Sequence, residues 1–299
     1  MDVEPLGAAM GRLGHSWHLF KTSMSVVKQD KELLWMPVLS FLASVVAVLG
    51  ITGIGYVGGI FPDPVGADGN VKPLALLLSF TMYVVLAFIG LYFNAAVVAA
   101  ASERLAGGDP TVKSALGKAN QHLLRLFLWS IVVATVNVLL QAIRAAASRG
   151  GRGADIVGQI VTGMLGFAWN VATYFMVPVL LFEDKKIGAG LKRSGSLFKQ
   201  TWGETVIGQG GIGLVGSLVT FGILLVGMLL LYLVAPLGMF VVLPLLVVIV
   251  LAAIFSALLF AVVAGVYKAA LYRYATTGKE AGGFSHQDLG GAFVQKPYY

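Results

Sequence analysis

Residues 205–267 read TVIGQGGIGLVGSLVTFGILLVGMLLLYLVAPLGMFVVLPLLVVIVLAAIFSALLFAVVAGVY, 63 residues between Glu204 and Lys268 without one charge. Such a run is too apolar to be solvated, and one crossing of a ~30 Å hydrocarbon core needs only ~20 residues. It therefore reads as two membrane helices, over 205–234 and 240–267, with a turn at Pro236, Leu237 and Gly238. Four further long uncharged runs precede it and give spans over 34–60, 74–102, 126–147 and 156–182. In lipid only helices and closed barrels satisfy their own backbone. A barrel would alternate apolar and polar residues over short segments, whereas these runs are continuous. The expected fold is all-α and polytopic, with six transmembrane helices.

Composition agrees. The chain is 58% hydrophobic and only 12% charged, against roughly 25% charged for a soluble domain, and its mean hydropathy is +0.85. The net charge of +7 is unevenly placed. Arg12, Lys21, Lys28 and Lys31 lie before the first span, Arg104, Lys113, Lys118 and Arg125 in the second loop, and Lys185, Lys186, Lys192, Arg193 and Lys199 in the fourth. Lys268, Arg273, Lys279 and Lys296 follow the last span. The opposite side carries only Lys72, Arg144, Arg149 and Arg152. Positive loops stay inside, so both termini are expected in the cytoplasm. The same asymmetry suits an anionic lipid surface better than nucleic acid. Charges throughout the first thirty or so residues argue against a cleaved signal. The chain has no cysteine, which excludes disulfides, thiolate metal sites and covalent c-type haem.

Three segments, over 6–30, 109–124 and 186–203, each precede a pair of spans and read as interfacial amphipathic helices on the cytoplasmic side. In the first, Leu6, Met10, Leu13, Trp17, Phe20, Met24 and Val27 fall at alternating steps of four and three, with Arg12, His15 and His18 pointing away. In the second, Asp109 has the place of an N-cap and Pro110 that of the first helical residue, while Leu116 and Leu123 face lipid. In the third, Ile187, Leu191, Phe198 and Trp202 make the stripe, and Lys192, Arg193 and Lys199 face water. Ser16-Trp17-His18-Leu19-Phe20-Lys21 matches Ser194-Gly195-Ser196-Leu197-Phe198-Lys199 at four positions, and Asn120-Gln121-His122-Leu123-Leu124-Arg125 is a weaker copy. This reads as three pseudo-repeats in parallel, each a lead-in helix plus a hairpin, in one membrane domain over 1–274. A Gly- and aromatic-rich cytoplasmic tail over 275–299 follows. It is mobile by itself unless it docks on the cytoplasmic face.

Few residues carry chemistry. Gly208-Gln209-Gly210-Gly211-Ile212-Gly213 satisfies a dinucleotide pattern, yet no acid follows it before Glu280, so close helix packing through small residues explains it better. The histidines, His15, His18, His122 and His286, all lie outside the spans, and His15 and His18, one turn apart on a polar face, lack nearby acidic or thiol ligands. No acid or base stands in the middle of a span, which argues against a pump, a voltage sensor or an intramembrane hydrolase. Asp109, Glu183 and Asp184 are the loop acids an enzyme would have to use, and their spacing demands no site. Neither metal nor cofactor is expected. At depth stand the amides Asn94, Asn137, Gln141 and Asn170, with Asn137 and Asn170 at similar depth. They serve either interhelical hydrogen bonding or the lining of a path. Gly158, Thr162, Gly166 and Asn170, at four-residue spacing, read as a packing seam. Pro178 is expected to kink the fourth span.

Ser16 to Lys21, then Asp30-Lys31-Glu32-Leu33-Leu34 with Pro37, resemble the start of a family of uncharacterised prokaryotic membrane proteins. The run over 94–103 with Gly107-Gly108-Asp109-Pro110 does so too, as do Val177-Pro178-Val179-Leu180 and Arg193-Ser194 with Trp202-Gly203-Glu204. The pattern is similar to YciC-like proteins and to the membrane domain attached to some glycerophosphodiesterases. The resemblance implies six spans and no established activity, and the chain holds no phosphodiesterase domain. The expected function is non-enzymatic. The protein would organise membrane or serve as an accessory subunit, engaging anionic lipid or a larger complex through Trp17, Lys21, Lys192, Arg193, Lys199 and Trp202. The alternative is a passive carrier of lipid or a small solute along Asn94, Asn137, Gln141 and Asn170. Membrane lipids, other membrane proteins and further copies of the chain are the expected partners.

Overall fold

The computed structural model describes residues 4–66, 71–201, 210–280, 282–285 and 289, and in the first helix the side chains from residue 17 onward. The helices run in the order α1 (Glu4–Gln29), a 3-10 turn (Lys31–Leu34), α2 (Trp35–Val57), α3 (Pro73–Leu105), α4 (Val112–Gln121), α5 (Leu123–Ser148), α6 (Arg152–Thr173), α7 (Met176–Phe182), α8 (Ile187–Gln200), α9 (Gly210–Val234) and α10 (Met239–Thr277). Helix dominates the described residues, and they contain no strand, only isolated bridge positions such as the antiparallel pair Val65 and Val71. Six stretches are long and apolar enough to cross a membrane: Lys31–Val57, Pro73–Leu105, Leu123–Ser148, Arg152–Phe182, Gly210–Leu237 and Met239–Thr277. The protein is a multi-pass membrane protein, and its large exposed apolar side chains lie mostly on these helices.

The chain divides into two compact units, one of Met1–Pro37, Ala100–Val112 and Lys199–Tyr299, the other of Val38–Ala99 and Lys113–Phe198. The first is organised by the α9–α10 hairpin. Its turn is a short 3-10 segment, Ala235–Leu237, ending on Gly238 at φ 89°, ψ 172°, backbone that only glycine adopts at low cost. Gly216 lies under Phe260 and Gly227 under Ile249, each with no room for a Cβ, and Thr220 and Ser256 share a hydrogen bond of 3.0 Å. Small residues thus let the two backbones approach and large ones fill the opposite sockets. Packing is not concentrated at the G-x-G-x-x-G stretch. Gly210 and Gly213 have open space, and Gly208 and Gln209 lie outside the described residues.

Helix α1 packs on this hairpin, and Phe20 stacks on Phe260 with ring centroids 5.3 Å apart. Its buried line is Leu19, Ser23, Val26 and Val27, while Trp17 is 44% exposed. The expected stripe through Trp17, Phe20 and Met24 is therefore the shoulder of the buried face, not its centre. Two partner helices cover a wider arc than one apolar line, and that arc takes in Ser23. After α10 closes on Gly278, a left-handed cap at φ 67°, the chain returns to pack. Phe284 and Leu289 are buried, with Phe284 6.3 Å from the Tyr267 ring.

A second correction concerns the start of α4. Helix begins at Val112, not at Pro110. Asp109 does not cap it but accepts from Arg104 at 3.3 Å, while the Val112 N–H donates to the Glu32 carboxylate at 2.6 Å. The cap comes from eighty positions away.

The other unit holds the α5–α6 hairpin. Its turn ends on Gly151 at φ 86°, ψ 177°. Gly158 lies against Ala147, and Trp129 stacks on Trp169 at 5.6 Å. Helix α6 breaks at Tyr174 and Phe175, and α7 carries Pro178 in its first turn. Proline has no N–H for the fourth carbonyl back and its ring crowds that carbonyl. The break also frees the Phe175 N–H, which donates to Ser194 Oγ at 3.0 Å, both groups being buried. Ser194 thereby ties α8 to the break. The weakest copy of the repeated motif, over 120–125, straddles the interruption between α4 and α5, whereas the other two lie within α1 and α8.

Candidate functional site

Polar side chains gather along one flank of the α5–α6 hairpin. On α5 they are Asn137, Gln141, Arg144 and Ser148, and on α6 Asp155, Gln159, Thr162 and Asn170. Steps of three and four, with one of eight from Thr162 to Asn170, keep each set on one side of its helix. Arg144 Nε donates to Thr162 Oγ1 at 2.9 Å, and Thr162 Oγ1 in turn donates to the Gly158 carbonyl at 2.7 Å. Gln159 Nε2 donates to Asp155 Oδ2 at 3.0 Å, and Gln141 Nε2 to Tyr83 Oη at 2.8 Å. Near the Gly150–Gly151 turn the flank opens into a cleft of about 540 Å³ lined by Arg144, Ala145, Ser148, Asp155 and Gln159. A second groove of the same hairpin, about 410 Å³, is apolar and lined by residues such as Leu140, Ile143, Trp169 and Ala172.

The amides expected at depth divide. Asn137 and Asn170 are exposed, Asn94 is half-buried, and Gln141 is held by Tyr83. Asn137 and Asn170 do not hydrogen-bond each other. The expected seam through Gly158, Thr162, Gly166 and Asn170 packs only in its first half, where Gly158 and Thr162 are buried, and Asn170 leaves it. At 3.6 residues per turn a four-residue step turns about 40° round the helix, so three such steps carry a residue off the face where the row began. Arg144, Asp155 and Gln159 were missed as site residues because they stand near span ends, where charges read as flanks. Their signal was the same three-and-four spacing, continued outward from Asn137 and inward from Asp155.

On the lead-in helices, Trp17 is exposed with Lys21 Nζ 5.6 Å from its ring centre, a cation–π pair. Lys192 and Lys199 are exposed. Arg193 does not face water. It is half-buried and donates through Nε to both Glu183 oxygens at 3.0 and 3.1 Å. Trp202 lies outside the described residues, as do His286 and the His15 side chain. The loop acids are each paired: Glu183 with Arg193 and Lys185, Asp184 with Arg125, Asp109 with Arg104. Burial, and then the nearby Arg125 charge, push the His122 imidazole below its ordinary 6.5. Among the described residues no group of three or more His, Asp or Glu side chains could hold a metal ion.

The fold defines a multi-pass, all-helical membrane protein with a mixed-charge cleft on one hairpin. Residues 74–283 match DUF6159, a family of unknown function, and the chain belongs to it. The match takes in α3 to α10 and leaves α1 and α2 outside it. No curated protein and no solved structure matches the chain.

Proposed function

We propose that the protein is a non-enzymatic component of a prokaryotic cytoplasmic membrane, with both termini in the cytoplasm, that engages anionic lipid through its basic lead-in segments. It would thereby organise membrane or support a larger complex as an accessory subunit. The observation that carries this reading is the exposed Trp17 with Lys21 over its ring, on a helix that also exposes Lys28. An amphipathic indole beside a cation suits the headgroup boundary, and each juxtamembrane cation adds about 1 kcal/mol of attraction to an anionic surface. Exposed Lys192 and Lys199 on α8 support the same reading. The likeness to YciC-like proteins and to the glycerophosphodiesterase membrane domain rests on the quoted motifs alone. The test is amine labelling in liposomes with and without anionic lipid. Lys21, Lys192 and Lys199 should label severalfold more slowly with anionic lipid, and equal rates would sink the proposal.

A second reading, passive carriage of lipid, is supported by the polar flank of α5–α6, because a polar row on a membrane helix is costly unless it has work or a partner. Asn137→Leu with Asn170→Leu should abolish lipid movement between leaflets of proteoliposomes if the flank is a path. If the amides serve packing alone, movement would persist while thermal stability changed.

A further inference from the structure

We propose that the cleft at the turn end of the α5–α6 hairpin binds a glycerophospholipid headgroup carrying a primary ammonium, with its phosphate against Arg144 and its ammonium against Asp155.

The cleft holds one cation and one anion that do not pair with each other. Arg144 is engaged through Nε, by Thr162 at 2.9 Å, which leaves the donors at the tip of its guanidinium. Asp155 receives only the amide of Gln159, at 3.0 Å on Oδ2. No carboxylate pairs with Arg144 and no cation with Asp155 among the described residues. A simple anion would match Arg144 and meet Asp155 as a like charge. A simple cation would do the reverse. A zwitterion satisfies both, and a headgroup with phosphate and ammonium a few bonds apart has that form. Guanidinium is the better cation for phosphate, since its planar donors take two oxygens together.

The acceptors select the nitrogen. The Asp155 carboxylate and the Gln159 side-chain oxygen both call for N–H donors. A primary ammonium supplies three, and a quaternary choline none. Choline is held best by aromatic faces, and no aromatic residue lines this cleft. The volume of about 540 Å³ suits a headgroup and lies within the usual range for small-ligand sites. Position agrees as well. Arg144 stands four residues before the end of α5, about 6 Å along the axis, close to the level where headgroups lie.

The proposal shares the polar flank with the carrier reading, but it concerns retention and needs no transport. The experiment is native mass spectrometry of the full-length protein released from nanodiscs. One set holds ethanolamine lipid with phosphatidylglycerol, the other choline lipid with phosphatidylglycerol. The expected result is a retained ethanolamine lipid that choline lipid does not replace. Asp155→Asn should lower retention by about tenfold, the loss expected for one charge-assisted contact, with Arg144→Gln acting alike. Arg144 also holds Thr162, so Asp155→Asn is the deciding variant if Arg144→Gln does not fold. Equal retention of the two lipids, or undiminished retention in Asp155→Asn, overturns the proposal. A dimer that disappears with Asp155→Asn assigns the face to a second copy and overturns it too. Absence of lipid movement between leaflets by the wild-type protein, with retention intact, would count against the carrier reading alone.

Discussion

The α9–α10 and α5–α6 hairpins turn in the same way and pack in opposite ways. Each second helix starts from a glycine at nearly one conformation, φ 89°, ψ 172° at Gly238 and φ 86°, ψ 177° at Gly151. Beyond the turn, α9 and α10 meet through glycine sockets and a hydroxyl pair, and the groove of about 310 Å³ they leave along Gly216, Thr220 and Phe260 is apolar. Helices α5 and α6 close near the turn at Gly158 and then leave a polar flank and a cleft. The difference teaches that a tight turn does not specify a dry seam. Sockets do, and α6 lacks them over its middle, where Gly163 and Gly166 face open space. A hairpin without sockets leaves surface for something else.

The sharpest way to break this contrast is to fill a glycine in each hairpin. Gly227→Leu would drive a side chain into the space of Ile249 and is expected to cost about 3 kcal/mol or more. Gly166→Leu meets nothing within 4 Å and should fall within about 0.5 kcal/mol of wild type. Thermal melts in detergent measure both. If the two variants melt alike, the hairpins are not packed differently.

The next effect tests why α6 breaks while α10 runs on past Pro244. Pro244 is the sixth residue of α10, and the helix runs through it at the loss of the one bond to the Phe240 carbonyl. Pro178 follows a break at which the Phe175 N–H donates to Ser194. Ser194→Ala leaves the buried Phe175 N–H without its partner and should cost about 1–3 kcal/mol, whereas Ser194→Thr should retain most of the stability. No difference between Ala and Thr would mean that the hydroxyl is not the reason α8 is held.

These two cases also mark what the chain discloses of itself. The six spans and the turn at Pro236 to Gly238 were legible because charge is excluded from lipid and turns need special backbone, both local properties. The break after α6 was legible from Pro178. Its repair by Ser194 was not, nor was the capping of Val112 by Glu32, because side chains brought together by folding leave no mark at either position. The polar flank was half legible. Asn137, Gln141 and Asn170 stood out in apolar surroundings, but Arg144, Asp155 and Gln159 were hidden by their place at span ends.

A smaller effect concerns the one polar link inside the dry hairpin. Thr220 and Ser256 satisfy each other at 3.0 Å. Thr220→Val alone leaves Ser256 with an unmet hydroxyl and should cost about 1 kcal/mol, while Thr220→Val with Ser256→Ala should be closer to neutral, since apolar groups then meet apolar groups. A double-mutant cycle measures it, and strict additivity would show that the pair is not coupled.

The smallest expected effect is a pH dependence, and it also contrasts two regions. Asp184 accepts from Arg125, and that hydrogen bond, with the Arg125 charge behind it, holds its carboxyl below the ordinary value of 3.8. A depressed folded value contributes stability that is present above 3.8 and is lost as pH falls through the folded value. Asp30 runs the other way. Burial raises its carboxyl above 3.8 against the opposing pull of the Glu32 N–H and Arg104, so its contribution is full below 3.8 and is lost as pH rises through the folded value. Asp184→Asn keeps a residue type that tolerates the φ of 52° at this position and removes the titration. Its melting temperature should approach that of wild type as pH drops below 3.8. Asp30→Asn should separate from wild type only above 3.8, and in the stabilising direction, because the variant escapes the burial of a charge. Melts across pH 3 to 6 read both signs together, and the same sign for the two variants would show that the partners, not the acids themselves, set the dependence.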